Sequence, residues 1–376
     1  MAFWIINLVI FAIYTYILGY RDRSTAFIIV SVFHFMLISA LRDVSVGTDT
    51  LYYARAYRYL SNHSHLYWHA MSNSKFFIAY LKVCSRFITS IYGYAIVTSI
   101  PFVVLVGFFI YKYSHNYHIS FFLFVFLYFF FNSMNTARQY LAMSLVLLFF
   151  YLTDQKKYIF AFVVGLIATG IHSSALPCLV ICIVVSIINW TPEKTWFSIV
   201  VIHFMNLLIP TMVNLFVILI PQYAWVKKYL FTADYLSRGR SSLVYFAYGE
   251  MALLIGLYWL YWYGKKIRIV AFGEQVVGKE DYDQHTMQIM QRMMVVLAIS
   301  TMMYLFYSKV IMFNRMASNL YIFMIVYFAN VLDNLKGRAR LLGLFLLIPL
   351  IPFTYYQIKQ GIAGITNYQF FFNSLR

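Results

Sequence analysis

The segment Arg42-Asp43-Val-Ser-Val-Gly47-Thr48-Asp49-Thr-Leu-Tyr52-Tyr53 gathers a guanidinium, two carboxylates, a turn glycine and two phenols at the end of the apolar run Thr25–Leu41. A charge at mid-bilayer costs about 2.5–3.5 kcal/mol on the insertion scale, so such clusters are functional candidates. At the end of a span they sit where a lipid presents its head group. Gly47 permits a tight turn, and Thr48 or Asp49 can cap a helix that begins at Thr50. Three further clusters lie at the ends of apolar runs: Asn135-Thr136-Ala137-Arg138-Gln139-Tyr140 at the start of an otherwise apolar helix, His172-Ser173-Ser174 after the run 158–171, and Asn314-Arg315, with Lys309 nearby, before the span 317–332. Arg138 and Arg315 keep their charge in any protein setting and need acceptors. Such guanidinium groups suit an anionic ligand. His172 exchanges a proton near neutrality, which suits a general base. Each cluster also has a plainer reading. Arg42–Asp43 pairs structurally, Arg138 snorkels to lipid phosphate, His172 rests at an interface, and Arg315 is surface charge.

Other features carry less. Asp281-Tyr282-Asp283 spells a D-x-D, but a short loop offers no α/β domain to use it. Glu250 lies inside the run 243–263, where an ion site and a bundle partner are equal readings. Asn62-His63-Ser64 matches a glycosylation sequon by chance in most sequences. Cys178 and Cys182 share a helix face as small core residues, and no Cys/His spacing calls for a metal. No cofactor and no nucleic-acid partner is expected.

The elements that must position these residues are membrane helices. Hydrophobic residues make up 62% of the 376 and charged ones 11%, too little charge to cover a soluble protein of this size. The fold class is all-α: a polytopic integral membrane protein of about 11–12 transmembrane helices in a single domain, 1–376. The runs fall near 2–20, 25–41, 94–111, 119–132, 138–152, 158–172, 174–190, 196–220, 243–263, 289–308, 317–332 and 341–357. An additional helix near 76–91, with Lys82 and Arg86 on one face, is read as interfacial. That arrangement makes 42–75 and 221–242 extracytoplasmic loops and 264–288 a cytoplasmic loop. The net charge of +17 exceeds what cytoplasmic anchoring explains, because Arg42, Arg55, Arg58, Arg138 and Arg315 all fall on the outer side. An anionic ligand there supplies a reason.

Taken in order, Arg42-Asp43, Gly47-Thr48-Asp49, Tyr52, Arg138-Gln139, His172-Ser173-Ser174 and Arg315 resemble the EpsG-like branch of the Wzy-type polysaccharide polymerases over about residues 38–330. One departure is Ser72–Phe77, which lacks the acid that relatives often carry there. The resemblance implies a metal-independent, inverting glycosyltransferase that polymerises undecaprenyl-diphosphate-linked oligosaccharide repeat units. Its product is O-antigen, capsule or exopolysaccharide, made on the outer face of the bacterial inner membrane. A chain-length regulator and a flippase are the implied functional partners, alongside membrane lipid. On this reading Arg138 and Arg315, assisted by Arg42, clamp the diphosphate. His172, or Asp49, takes the acceptor proton. Asp43, Gly47, Thr48, Tyr52, Tyr53 and Gln139 shape the site or bind sugar. Alternatives are a flippase for the same lipid-linked sugar, an O-antigen ligase and a membrane O-acyltransferase.

Overall fold

The computed structural model describes residues 1–19, 24–63, 75–219, 256, 270–271, 274–275, 284–307 and 311–375. Glu250, Asp281–Asp283, Ser64, Lys309, the run 243–263, the loop 221–242 and most of 264–288 lie outside them. Apart from a two-residue antiparallel pair, Val270–Ala271 with Glu274–Gln275, the described elements are helical, and the all-α membrane architecture holds. Helix α5 (Gly93–Tyr113) and the stretch Gly337–Lys359 are long and apolar enough to cross a bilayer. Two bent pairs raise the number to four among the described residues, and Ala2–Leu18, Thr25–Ala40, Tyr158–Ile171 and Ala175–Ile187 are shorter apolar helices. Their outer faces carry exposed Ile6, Ile13, Ile29, Phe33, Phe160 and Phe162. Exposed apolar surface on that scale belongs against lipid.

Contacts divide the chain into two compact units. The first comprises residues 1–179, 328–333 and 341–376. It holds α1 (Ala2–Leu18), α2 (Thr25–Ala40), α3 (Thr50–Asn62), α4 (Lys75–Ser85), α5, α6 (Tyr117–Phe126), α7 (Phe129–Asn135), α8 (Ala137–Asp154) and α9 (Tyr158–Ile171). Helices α2 and α5 run antiparallel. Ser39 Oγ donates to Ser99 Oγ at 2.9 Å near one end, and Gly107 lets Val32 approach the α5 backbone further along. Helix α8 runs beside α5, with Phe102 against Tyr140 at 5.4 Å and the Tyr113 hydroxyl donating to Asp154 Oδ2 at 3.0 Å. Helix α9 returns along α8, and Gly165 faces the Phe149 ring. One end of this bundle therefore collects the C-termini of α2 and α9 with the N-termini of α5 and α8.

Two details differ from the sequence expectation. The run 119–132 is a broken span: α6 and α7 meet at 46°, with Tyr128 at φ +70 between them. A non-glycine residue there is strained, and neighbours hold it. The freed Phe126 carbonyl accepts from Thr354 Oγ1 at 2.9 Å, and Tyr128 Oη donates to the Ile362 carbonyl at 3.0 Å. The helix expected over 76–91 is α4, Lys75–Ser85. It ends at Ser85, and side chains of α3 hold the residues that follow: Tyr57 Oη donates to Ile88 O at 2.7 Å and Arg58 Nη1 to Thr89 O at 3.0 Å.

The second unit comprises 180–327 and 334–340. It contains α11 (Pro192–Leu219), α12 (Gln284–Tyr307) and α13 (Ile311–Tyr321), with α10 (Ala175–Ile187) and α14 (Met324–Asn334) shared between units. Polar pairs fix its register: Thr195 Oγ1 to Gln291 Oε1 at 3.1 Å, and Ser300 Oγ to the Ala317 carbonyl at 2.9 Å.

Candidate functional site

Beyond α2 the chain turns back on itself, and Arg42 ends with no exposed surface. Its Nη1 donates to the Ser39 carbonyl and to Ser99 Oγ (2.7 Å), and its Nη2 to the Met134 carbonyl (3.3 Å). Nη1 also donates to Ser39 Oγ at 3.3 Å, and all four acceptors are neutral. Burial pulls the guanidinium pKa down to about 10, and it remains charged at neutrality. Asp43 Oδ1 instead accepts the Ser45 amide at 2.9 Å, closing a local turn. Gly47 follows at φ +97. A Cβ there would also lie 2.5 Å from both the Met134 carbonyl oxygen and Thr50 Oγ1, so both conformation and space require glycine.

The next residues join the first two sequence clusters directly. Asn135 Oδ1, at the end of α7, accepts from Thr48 Oγ1 at 2.7 Å and from the Asp49 amide at 3.0 Å. Thr50 Oγ1 donates to the Met134 carbonyl at 2.9 Å. Helix α3 begins at Thr50, as expected, with Asp49 in the cap position. Its carboxylate makes no capping bond and is exposed. Three residues beyond Asn135, in the first turn of α8, Arg138 lies 5.9 Å from the centre of the Tyr53 ring and 6.0 Å from that of Phe77. Both distances fall within cation–π range. Tyr53 in turn stacks on Tyr94 at 5.6 Å, and Tyr52 meets Tyr53 edge-on at 5.3 Å while staying 44% exposed. The N-termini of α3, α5 and α8 thus lie close to a guanidinium on an aromatic shelf. The helix dipoles and Arg138 have the same sign, and together they favour an anion.

His172 caps the C-terminus of α9 at the same end of the bundle. Helix α4 connects the two regions: Phe76 fills the space beside Gly170, and Phe77 faces Arg138. His172 Nδ1 accepts the Ser174 amide at 3.3 Å and lies 2.7 Å from Ser174 Oγ. An acceptor at Nδ1 places the proton of a neutral ring on Nε2. Gln139 is buried, and its backbone N–H donates to the Thr136 carbonyl at 2.9 Å. Arg315 belongs to the second unit, exposed on α13.

The EpsG family model matches residues 25–371, from the first turn of α2 to the end of the chain's return segment. The chain belongs to the EpsG family. No curated protein and no solved structure matches it. Family membership supports a polysaccharide polymerase-like role in general terms, in a membrane setting. In this EpsG-family chain the first unit brings together Asp43, Gly47, Thr48, Asp49, Tyr53 and Arg138. Sequence reasoning missed Phe77, Tyr94, Ser39 and Ser99, and it gave Asn135 no task of its own. Tyr94 is the most informative omission. It is fully buried, its hydroxyl has no hydrogen-bond partner among the described residues, and it is within electrostatic reach of Arg42, Arg138 and Asp49. One tyrosine among 34 carries no local signal that would single it out.

Proposed function

We propose that this EpsG-family protein joins lipid-diphosphate-linked oligosaccharide repeat units into O-antigen or a related surface polysaccharide, on the outer face of the bacterial inner membrane. The observation that carries the reading is the joining of two sequence clusters through Asn135, which sets an exposed carboxylate, Asp49, near Arg138. The donor's C1–O bond to the lipid diphosphate breaks, and the leaving group departs with the electron pair. Arg138 neutralises the charge that develops on it, with Arg315 kept from the sequence pattern as the second guanidinium. An acceptor hydroxyl oxygen of the second repeat unit bonds to C1 from the opposite side, inverting the anomeric centre, and gives up its proton. Guanidinium groups and a carboxylate suffice for these steps.

Two role assignments change from the sequence expectation. Arg42 leaves the clamp, because its Nη groups are spent on Ser39, Ser99 and Met134 and it has no exposed surface. Its task is to hold the α2 end against α5 and α7. Asp49 replaces His172 as the first choice of base. The carboxylate is exposed, whereas His172 Nδ1 already accepts an amide and its Nε2 is then a donor. Tyr52, partly exposed, stacks on sugar, while Tyr53 serves as the shelf for Arg138. A flippase partner delivers the substrate, and a chain-length regulator limits the product.

The test is a strain lacking this gene and complemented with wild type or Arg138→Ala. Wild type restores a polymer ladder. Arg138→Ala leaves single repeat units, lipid-linked and accessible from the outer face. Accumulation on the inner face would instead mark a flippase, and a normal ladder from a well-expressed Arg138→Ala protein would remove the clamp.

A further inference from the structure

Near the C-terminal end of the described residues, segment 361–371 returns to the turn that carries Asp49. Gly364 O accepts the Gly47 amide at 2.9 Å, Gln369 O accepts the Asp43 amide at 2.9 Å, and the Phe371 amide donates to Leu41 O at 3.1 Å. These bonds pair Arg42 with Phe370 as an isolated antiparallel bridge. The segment is itself anchored. Tyr368 Oη donates to the Ile38 carbonyl in the last turn of α2 at 2.7 Å, and the Tyr368 ring stacks on Phe3 at 3.8 Å. Trp4 Nε1 donates to Ile365 O at 2.8 Å. The amides of Asp43 and Gly47, at both ends of the turn, are therefore held by the C-terminal segment. The family match reaches residue 371 and takes in this segment.

We propose that the C-terminal segment is a positioning element of the active site, acting through Gly364 on the Gly47-Thr48-Asp49 turn. The inference rests on the proposed function in one respect: it takes that turn to belong to the reacting site. Two glycines make it testable. Gly361 and Gly364 have nearly the same backbone, φ +73 and φ +66. Alanine at either position meets the same conformational strain. Only Gly364 touches the turn: a Cβ there would lie 2.9 Å from the Thr48 amide nitrogen and from Thr48 Cγ2. The nearest atom to a Cβ on Gly361 is Thr366 Oγ1 at 3.8 Å. Gly364→Ala must displace the turn, whereas Gly361→Ala need not.

Turn position is read apart from activity with Val46→Cys, since Val46 is fully buried in the turn. A water-soluble maleimide is applied to the purified full-length protein, and labelling is counted above that of the native Cys84, Cys178 and Cys182. Polymer is measured in cells carrying Gly364→Ala or Gly361→Ala alone. We expect Gly364→Ala to unmask the introduced thiol and cut polymer by about 100-fold, the loss that a misplacement of about 1 Å brings, while Gly361→Ala does neither. If the introduced thiol stays protected with Gly364→Ala, or if both alanine variants behave alike, the positioning role is overturned. If that thiol is unmasked and polymer stays normal, the segment holds the turn but the turn is not in the site, and the positioning role fails on that ground. A normal ladder from Arg138→Ala refutes the proposed function separately.

Discussion

Arg42 offers a sharp test because its surroundings separate two ways of losing it. Its Nη groups make four hydrogen bonds, to Ser39 O, Ser39 Oγ, Ser99 Oγ and Met134 O. Bonds to a charged group contribute about 1.5–3 kcal/mol each, and burying the guanidinium costs several kcal/mol, so the net interaction is small. Volume decides the outcome. Arg42→Ala opens a cavity in a fully buried position, and truncating a large buried side chain costs about 3–5 kcal/mol. Arg42→Met fills most of that space. The acceptors are not stranded either: Ser39 Oγ still bonds Ser99 Oγ at 2.9 Å, and Met134 O still accepts Thr50 Oγ1 at 2.9 Å. Arg42→Met should therefore cost no more than about 1–2 kcal/mol, in line with apolar replacement of other buried charges. The gap of about 3 kcal/mol corresponds to roughly a 100-fold difference in the folded-to-unfolded ratio. Thermal inactivation in detergent, followed by monodispersity, should show Arg42→Ala far less durable than Arg42→Met. Arg42→Met should also retain most polymer in cells. A well-folded Arg42→Met protein that makes no polymer would return Arg42 to the clamp and refute the structural assignment.

Further outcomes follow from the same contacts. Gly47→Ala combines a left-handed backbone with a Cβ 2.5 Å from the Met134 carbonyl oxygen. It should lose about 1–3 kcal/mol and most of its polymer, as read by a denaturation series and a ladder gel. Tyr94→Phe removes a buried hydroxyl that has no partner among the described residues. It should leave stability unchanged or raise it by about 1 kcal/mol, and a clear fall in detergent melting temperature would show that the hydroxyl is bonded. Asp49→Asn should abolish polymer, whereas His172→Asn should keep more than about a tenth of it, since general bases typically contribute about 100-fold or more. The reverse order in quantitative ladder gels would restore His172 as the base.

Local chemistry was readable in the sequence wherever the signal is local. The glycine turn at 47, the helix beginning at Thr50, the start of α8 beside Arg138 and the end of α9 at His172 all follow from turn residues, caps and apolar runs. The break at Tyr128 was not readable. A tyrosine gives no warning of a positive φ, and its support comes from Thr354 and Ile362, more than 200 residues away in sequence. Asn135 as the joint between two clusters, Tyr94 beneath Tyr53, and the returning C-terminal segment are likewise products of long-range packing. The charge on Arg42 was legible in the sequence, but its burial among neutral oxygens was not. Periodicity does not distinguish a buried arginine from an exposed one.

The most direct measurement of the central claim uses the purified protein in lipid with a diphosphate-linked repeat unit as the only substrate. Wild type should form a ladder of linked repeats, with lipid diphosphate released and the new linkage inverted relative to the donor. An Arg138→Ala protein of equal yield and monodispersity should form none. A ladder from Arg138→Ala that matches wild type, or a retained anomeric configuration, would contradict the account.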